Sequence, residues 1–482
     1  MQTYLLEPQD LLFFRDGRPI ETSGGHGARW PDPSVIFDAL HAALWRAFPA
    51  DQPQPWEHRH DFGRSSHRPH NGDTQRFGSL ATAGLFPVVQ GSARAPRAAA
   101  GAPPDALDVS CRWLFPAPAD VAACDDARHW LLRPCRVQGM TNLPACFLKY
   151  TVASLAKPTK DTVPPWWSGA AWRSYLAGQQ PEPAELFSPE DLYAGEWTTG
   201  IGVDPETQTQ DGQRLYSAEY LRLRPGVRCG LTASLRMKQN GNGSDLRECI
   251  RELFATTQTI IVGGQQRTCR VEEAQTSDRL PFPVGSASAG TRVKWVLLSP
   301  AVWPAIQANE SKGIAVHPGG WLPNWVCPQS GEVRLRHRSG NLRRVWDEAR
   351  GRPIRRADVD EAIAARLVAA CVPKPVPITG WTERLHLLRH ETHWGQDGGA
   401  HGPRPSHLAV PAGAVYYFEA EANRERGTTA EEEAARLAAA LNWHGHTPGT
   451  EIRNRRSTLL GEKGFGLGVC GTWDLYGEGG AG

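Results

Sequence analysis

Residues 31–48 read PDPSVIFDALHAALWRAF and lie a short distance after an apolar stretch and a polar loop. Apolar side chains recur at helical spacing along this segment, at Ile36, Leu40, Leu44 and Phe48. The spacing predicts an amphipathic helix with Ser34 as its N-cap residue. The apolar residues from Thr3 to Leu6 predict a strand before the loop. A strand, a loop and an amphipathic helix in this order are typical of the start of a ferredoxin-like unit.

The later periodic segments alternate between strand and helix patterns. Strands are predicted over residues 259–264, 291–299 and 412–420, and helices over residues 245–254, 358–371 and 429–441. Asp358 and Glu361 are expected to cap the second of these helices, and Thr429 with Glu432 to form a capping box at the third. Strands that alternate with helices and pair with distant partners predict the α+β class.

The length of 482 residues is sufficient for two domains that each bury a core. We place the boundary near residue 275, which gives domains of residues 1–275 and 276–482. Residues 49–118 are rich in Pro, Gly, Arg and His and show little periodicity beyond residues 80–89. Most of this range is therefore expected to be an inserted loop.

A second excursion is predicted in the middle of the chain. Residues 200–204, GIGVD, are separated from the apolar residues near Tyr216 by a long polar segment. This pattern indicates two strands that meet at a distant turn. We therefore expect a projecting hairpin near residues 198–228.

Glycines dominate residues 461–471, GEKGFGLGVCG. The last glycines spell G-x-G-x-x-G, but the eleven residues that follow are too few for the βαβ unit of a dinucleotide site. Glycines also permit positive φ and let the backbone approach a phosphate, while Lys463 would supply charge and Phe465 a stacking face. The pattern therefore favours a nucleic-acid loop, and the alternative is a terminal turn that only reverses the chain.

The basic residues are unevenly distributed, although the formal net charge is only +2. Nine arginines lie between Arg334 and Arg356, where the acidic residues are Asp347 and Glu348. Three more, Arg453, Arg455 and Arg456, directly precede the glycine-rich loop. Such clusters are typical of phosphate binding, and the alternative for each is a solvated basic face.

Several classes of protein are not expected from the composition. No apolar run approaches the ~18 residues of a membrane span, and the N-terminus has no basic region before its short apolar stretch. We therefore expect a soluble, cytoplasmic protein with no membrane partner. Ten cysteines are scattered without a C-x-x-C pair, which argues against a zinc ribbon and a disulfide framework.

Short motifs occur along the chain in an order that resembles a known family. They are LLFFRDGRP at residues 11–19, PDPS at 31–34, GIGVD at 200–204, Gly263-Gly264 followed by Arg267, VPAGAVYYF at 410–418 and the glycine-rich loop. Together they resemble subunit three of the Cmr complex, the type III-B CRISPR ribonucleoprotein. The resemblance extends from residue 4 to residue 471 and is weakest near residues 49–130. The sequence departs from the family pattern at Phe37 or Asp38, where a glycine is usual, and at Gln265.

The resemblance implies a RAMP protein made of two ferredoxin-like, RRM-like domains with long loop insertions. Such a subunit holds the 5′ handle of the guide RNA and docks against the large palm-domain subunit, beside an adjacent RAMP backbone subunit. The hairpin resembles the family's thumb, which would wedge between guide bases where the next backbone subunit begins. The family has no known catalytic task and implies no cofactor or metal.

Single-stranded RNA is held by charges on phosphates, stacking faces and close backbone approach. We expect the handle to lie between the loop after the first strand (the first loop, residues 15–29) and the glycine-rich loop. The predicted RNA-binding residues are Arg15, Gly17, Arg18, His26, Arg29, Arg453, Arg455, Arg456, Lys463, Gly464, Phe465, Gly466 and Gly468.

Two other functions remain open at this point. His26 could act as a general acid or base in a metal-independent endoribonuclease that matures guide precursors, provided that a partner group lies within reach. Alternatively, the basic segments could contact acidic subunits in a pure assembly protein. The histidines at residues 58–70 lack nearby cysteines and a regular metal-ligand spacing, and they are expected to be surface residues. His386 and His390 would share a face if their segment is helical, but position 387 is leucine where the H-E-x-x-H motif requires glutamate, so no metalloprotease is expected.

Overall fold

The computed structural model describes residues 1–14, 24–25, 30–48, 80–91, 111–125, 130–136, 143–154, 156–203, 206–207, 209–238, 246–274, 278–286, 290–308, 315–335, 344–347, 352–355, 362–379, 381–382, 402–403 and 406–476. This part of the chain forms a mixed α/β structure with many strands and few helices. The helices are α1 (Ser34–Ala47), α2 (Gly169–Leu176), α3 (Pro189–Leu192), α4 (Cys249–Thr256) and α5 (Ala430–Leu441), with 3-10 helices at Pro183–Glu185 and Gly461–Lys463.

Strands are described along the whole chain. Up to residue 274 they are β1 (Gln2–Pro8), β2 (Gly24–Gly25), β3 (Ala81–Gln90), β4 (Cys111–Pro116), β5 (Arg133–Arg136), β6 (Tyr150–Ala153), β7 (Trp166–Ser168), β8 (Leu186–Phe187), β9 (Tyr193–Val203), β10 (Gln210–Leu223), β11 (Val227–Ser234), β12 (Arg236–Lys238), β13 (Leu246–Glu248), β14 (Thr259–Ile261) and β15 (Thr268–Glu273). The later ones are β16 (Arg292–Leu297), β17 (Arg344–Asp347), β18 (Arg352–Arg355), β19 (Ala365–Cys371), β20 (Val376–Ile378), β21 (Trp381–Thr382), β22 (Gly402–Pro403), β23 (His407–Ala409), β24 (Val415–Ala420) and β25 (Gly468–Thr472).

The N-terminal sheet has eight strands in the order β14-β15-β1-β11-β3-β4-β7-β8. Its central elements follow one another along the chain as β1-α1-β3-β11-α4-β15, and β11 pairs antiparallel with both β1 and β3. This succession is a split βαβ arrangement. Helices α1 and α4 pack on one face, where Leu40 and Leu253 join Leu6 and Leu231 in a buried core. The burial of the α1 apolar face confirms the predicted amphipathic helix.

The C-terminal sheet has four strands in the order β19-β24-β16-β25, all antiparallel to their neighbours. Helix α5 covers one face and buries Leu437 and Leu441 beside Trp295 and Phe418. The N-terminus of α5 has the predicted capping box, because the Thr429 hydroxyl accepts from the Glu432 amide and the Glu432 carboxylate accepts from the Thr429 amide. Between β16 and β19, the described residues contain no helix.

The second faces of the two sheets meet in a shared core. Phe86 of β3 and Phe115 of β4 lie in the same buried cluster as Val296 of β16 and Tyr417 of β24. Aromatic rings from α2 and from the loops on either side of the C-terminal sheet complete this cluster. Its apolar burial holds the two sheets together.

Strands β9 and β10 form the predicted hairpin, and β2 adds to β10 in parallel to make a separate three-stranded sheet. The first loop therefore returns along the hairpin at Gly24 and Gly25, which pair with Ser217 and Ala218. This pairing brings two distant parts of the sequence into one sheet.

Two local predictions are wrong, namely the helix over residues 358–371 and Ser34 as the N-cap residue. The segment predicted as a helix over residues 358–371 forms β19 from Ala365 onward, because pairing with β24 overrides the helical propensity of its alanines. In the range of the predicted insertion, residues 49–118, the structure describes residues 80–91 and 111–118, which contain β3 and β4 of the N-terminal sheet, and the rest of the range lies outside the described residues. Ser34 is the first helical residue and not the N-cap, and the carboxylate of Asp32 accepts its amide at 2.8 Å.

Candidate nucleic-acid interface

The faces of the two large sheets are closed to a ligand. RRM domains stack bases on the open face of a four-stranded sheet. Here α1, α4 and α5 cover one face of each sheet, and the remaining faces are buried against each other in the shared core. Among the described residues, a base-binding surface must therefore be sought outside these two sheets, on the hairpin and the loops.

The hairpin presents an exposed apolar face. Successive side chains alternate between the two faces of a strand, so Trp197, Ile201 and Val203 of β9 lie on the same side. Trp197 is 58% exposed, Ile201 50% and Val203 57%. Glu219 is the direct cross-strand neighbour of Trp197. Since large exposed apolar residues on one face commonly mark an interaction site, this face is a candidate binding surface.

The base of the hairpin is fixed to the N-terminal sheet by charge pairs and ring contacts. Arg222 contacts the carboxylates of Glu196 and, at 3.4 Å, Asp10. Arg267 lies over the Tyr220 ring, 4.7 Å from its centroid, and also approaches Asp10 at 3.6 Å. These contacts tie β9 and β10 to the end of β1 and to the turn before β15.

That turn is built around Gly263, whose φ of 78° lies in the left-handed region. A Cβ at this position would lie 2.5 Å from the carbonyl oxygen of Phe13, so the close approach requires glycine. The Gly264 amide donates to the same carbonyl at 2.9 Å. The Gly-Gly motif found in the sequence thus holds the start of the first loop.

Arg15, Gly17, Arg18, His26 and Arg29 of the first loop lie outside the described residues. The structure does place the points from which this loop departs. Phe14 is buried in the N-terminal core, Gly24 and Gly25 pair with β10, and the Trp30 indole donates to the Leu85 carbonyl at 2.9 Å. The first loop and the hairpin are therefore neighbours in the fold.

The glycine-rich loop differs from its prediction. Lys463 is 4% exposed, and its ammonium lies 3.3 Å from the Asp38 carboxylate and 4.8 Å from the centre of the Phe37 ring. Phe465 is fully buried in a cluster with Leu459 and Leu460, and so it presents no face to a base.

Gly464, Gly466 and Gly468 approach neighbouring backbone and side chains within the protein. An added Cβ would lie 2.9 Å from the Thr82 oxygen at Gly464, 2.0 Å from the Ser457 nitrogen at Gly466 and 2.3 Å from the Trp295 indole nitrogen at Gly468. The predicted partner of this close approach was a phosphate-bearing ligand, whereas the groups that lie against these glycines in the structure belong to this chain.

The three arginines before the glycine-rich loop have different surroundings. Arg453 is exposed, whereas Arg456 donates from Nε to the Ala440 carbonyl at 2.7 Å near the end of α5. Arg455 donates to the Thr82 carbonyl at 3.3 Å, and burial lowers the pKa of its guanidinium to about 10, against a smaller opposing effect of Glu462. Of the three, Arg453 remains accessible to a phosphate in this structure.

Trp197 is the candidate residue that sequence reasoning missed. Several tryptophans of the chain are fully buried, including Trp172 and Trp295, whereas Trp197 is exposed. The signal that could have identified Trp197 is the recurrence of apolar residues at 197, 201 and 203, directly before and within the predicted hairpin.

Most of the other sequence candidates lie outside the described residues. These are the histidines at residues 58–70, His386, His390 and most of the segment from Arg334 to Arg356. Arg334 itself is exposed and donates to the Cys327 sulfur at 3.0 Å. Within the described ranges there is no group of three or more His, Cys, Asp or Glu residues arranged to hold a metal ion. In the same ranges, no helix has the length and apolar character needed to cross a membrane.

The chain is similar to one known family and to several solved structures. A family model described as CRISPR-associated protein (Cas_Cmr3) matches residues 4–473. No curated protein matches the chain. A chain of the type III-B Cmr-beta complex bound to cognate target RNA and AMPPnP is 13% identical, with 86% of each chain covered and a TM-score of 0.37.

Two further structures have weaker similarity. A chain of type III-B Cmr-beta bound to cognate target RNA is 12% identical, with 86% of each chain covered and a TM-score of 0.34. A chain of the Csm3–Csm4 subcomplex of the type III-A interference complex is 10% identical, with 86% of this chain and 92% of that chain covered and a TM-score of 0.31. TM-scores this low do not establish a shared arrangement of domains.

Proposed function

Because this chain belongs to the Cmr3 family of CRISPR-associated proteins, we propose that it is a noncatalytic RNA-binding scaffold in a type III-B effector complex. In this role it holds the 5′ handle of the guide RNA. It docks against the large palm-domain subunit and lies beside a RAMP backbone subunit. Family membership supports these two protein partners, and it implies no cofactor.

The observation that carries the RNA-binding proposal is the pairing of the first loop with the hairpin. Gly24 and Gly25 lie along β10, immediately before His26 in the chain, and Trp197 is exposed on the neighbouring strand β9. The arginines of the first loop supply charges for phosphates, and Trp197 supplies a stacking face for a base. Both components of a single-strand RNA site thus belong to one small sheet and its connecting loop.

The strand orders support two ferredoxin-like domains of the RAMP type. In the N-terminal sheet the succession β1-α1-β3-β11-α4-β15 gives the order β15-β1-β11-β3. In the C-terminal sheet β16, β19, β24 and β25 occupy the corresponding positions, with α5 between the last two. The same order in both sheets is the reason for assigning one domain type to both halves.

The exposed face of the hairpin supports its role as the thumb. Stacking of a base on an aromatic ring is worth about 1–3 kcal/mol and needs an accessible ring, which Trp197 provides. Ile201 and Val203 extend the same apolar face toward the tip of the hairpin. This face would contact guide bases where the next backbone subunit begins.

The test is a titration of the purified chain with guide RNA that carries its 5′ handle, beside RNA with a scrambled handle. A salt series with EDTA present gives the number of phosphate contacts, and a gel shows whether the RNA is cut. We expect tight, handle-dependent binding without cleavage. Arg18→Ala should reduce the salt slope by about 0.7–1 unit for the lost phosphate contact.

Other outcomes would contradict the proposal in distinguishable ways. Cleavage in EDTA that is abolished by His26→Ala would identify a metal-independent endoribonuclease. Binding that ignores the handle would remove handle recognition from the isolated chain. An isolated chain that does not bind RNA would favour a pure assembly protein.

A further inference from the structure

Within the glycine-rich loop, residues 461–468 join the C-terminal sheet to the first helix of the N-terminal half. We propose that Lys463 in this loop is a positioning residue, which fixes α1 through Asp38 and thereby sets where the first loop leaves the protein. The proposal rests on the RNA-binding function proposed above. It replaces direct phosphate contact as the role of Lys463.

The surroundings of Lys463 are those of a structural cation. Its ammonium lies 3.3 Å from Asp38 Oδ1, over the ring of Phe37, and the side chain is 4% exposed. A phosphate would have to displace both α1 residues to reach it. An ammonium that is removed from water and held by a carboxylate and a ring face stabilises the packing of the two elements that carry these groups.

The backbone of the loop makes a second contact with the N-terminal half. Gly464 lies against β3, so that an added Cβ would be 2.9 Å from the Thr82 oxygen, 3.0 Å from the Ala83 Cα and 3.4 Å from the Pro33 side chain. Arg455, which is adjacent to Gly461, donates to the same Thr82 carbonyl at 3.3 Å. The loop therefore contacts both β3 and the residue that precedes α1.

The loop is also held against the C-terminal half. The Gly466 amide donates to the Pro300 carbonyl at 2.7 Å, and the Leu298 amide donates to the Leu467 carbonyl at 2.8 Å. Phe465 is buried, and β25 begins at Gly468 and pairs with β16. Lys463 therefore lies on a loop that is hydrogen-bonded to the residues after β16 and leads directly into β25.

The other end of the contact is the exit of the first loop. Trp30 is tied to Leu85 of β3, and the carboxylate of Asp32 accepts the amide of Ser34 at 2.8 Å where α1 begins. The glycine-rich loop holds α1 at Asp38 and β3 at Thr82, and so it fixes the two elements between which the first loop ends. The position of Arg15, Arg18 and Arg29 along the RNA would depend on this geometry.

The experiment compares Lys463→Met, Asp38→Asn and the double variant, with Lys463→Arg as the conservative variant. Lys149→Met is the matched control, since it removes a lysine that pairs at 3.1 Å with Glu419, away from α1. Affinity for handle RNA and for scrambled RNA is measured across a salt series, at a temperature at which every variant is folded. Urea unfolding of each variant gives the coupling between the two residues without RNA.

We expect Lys463→Met and Asp38→Asn each to lose about threefold to tenfold in handle affinity, more than for scrambled RNA. The double variant should lose no more than either single variant, Lys463→Arg should restore binding, and the salt slope should stay that of Lys149→Met. A drop in slope with Lys463→Met alone, with Asp38→Asn unaffected, would show direct phosphate contact and overturn the proposal. Coupling in unfolding without any change in handle affinity would also overturn it.

The two proposals fail in different ways. If the wild-type chain does not distinguish the handle from scrambled RNA, the proposed function fails. Coupling between Lys463 and Asp38 in urea unfolding remains measurable in that case. Its absence would show that the two residues do not stabilise each other, and the positioning proposal would then fail. A merely structural role predicts lower stability with an unchanged preference for the handle.

Discussion

The carboxylate of Asp120 accepts a hydrogen bond of 2.8 Å from the hydroxyl of Tyr417, 297 residues further along the chain. Tyr175 of α2 donates to the same carboxylate at 2.8 Å, and Lys294 of β16 lies 3.9 Å away, with its ammonium over the Tyr175 ring. Asp120 and Lys294 are both almost completely buried. This polar cluster joins the segment after β4 to the middle of the C-terminal sheet.

Asp120→Ala is expected to destabilise the protein by about 3–5 kcal/mol, because it leaves the Lys294 ammonium buried without its carboxylate. Burial already lowers the pKa of Lys294, against the opposing effect of Asp120, so the variant lysine should lose its proton more readily. Urea unfolding measures the loss. A change below about 1 kcal/mol would show that the cluster is open to water.

A less disruptive variant removes a single hydrogen bond of this cluster. Tyr417→Phe removes a donor to a buried carboxylate and should cost about 1.5–3 kcal/mol. Tyr150→Phe is its control, since the Tyr150 hydroxyl donates to the partly exposed Glu419 at 2.9 Å. Equal losses of unfolding free energy in the two variants would contradict the expectation that a hydrogen bond to the buried Asp120 carboxylate contributes more than one to the partly exposed Glu419 carboxylate.

Asp32 is expected to make stability depend on pH. Burial raises its pKa above the usual value near 3.8, against hydrogen bonds from Ser34 that lower it. A carboxyl whose pKa is raised by folding contributes stability below its unfolded pKa, and that contribution is lost as the pH rises through the folded pKa. Asp32→Asn keeps an acceptor for Ser34 and removes this loss. Its stability relative to wild type should therefore increase from pH 4 to pH 7, and a constant difference across that range would contradict the assignment.

The sequence predicted those elements that depend on residues close together in the chain. The capping box of α5 and the apolar face of α1 each depend on residues three or four positions apart, and both were found as expected. Residues 365–371 have an equally helical composition, yet they form a strand. Their conformation is decided by β24, some fifty residues away, and this pairing cannot be read from the segment itself.

The sequence indicated the residue types of a candidate site better than the positions of these residues in the fold. Lys463, Gly464 and Phe465 have the residue types of an RNA loop, and the same types also suit a loop that packs closely between two sheets. The presence of Asp38 opposite Lys463 depends on tertiary structure and could not be inferred from the spacing of the two residues. Conversely, Trp197 is 58% exposed whereas other tryptophans, including Trp172 and Trp295, are fully buried, and the composition does not distinguish them.

Trp197→Ala should weaken the binding of handle RNA by about 1–3 kcal/mol and leave the salt slope unchanged, because stacking involves a base and not a phosphate. Stability should change little, since the side chain is 58% exposed. Leu408→Ala serves as the control for removing an exposed apolar side chain, at 63% exposure. Trp197→Phe should retain most of the affinity, and a loss as large as that of alanine would argue against stacking.

Gly263→Ala is expected to disturb the start of the first loop. Its φ of 78° strains any L-residue by about 1–2 kcal/mol, and the new Cβ would also lie 2.5 Å from the Phe13 carbonyl oxygen. Gly178→Ala is a matched control, because Gly178 has a φ of 73° and no atom within 4 Å of the added Cβ. The difference between the two variants in unfolding free energy measures the clash alone.

Because Phe13 leads directly into the first loop, Gly263→Ala should also weaken binding of handle RNA while folded, whereas Gly178→Ala should bind as wild type. Equal affinities in the two variants would separate the glycine turn from RNA recognition.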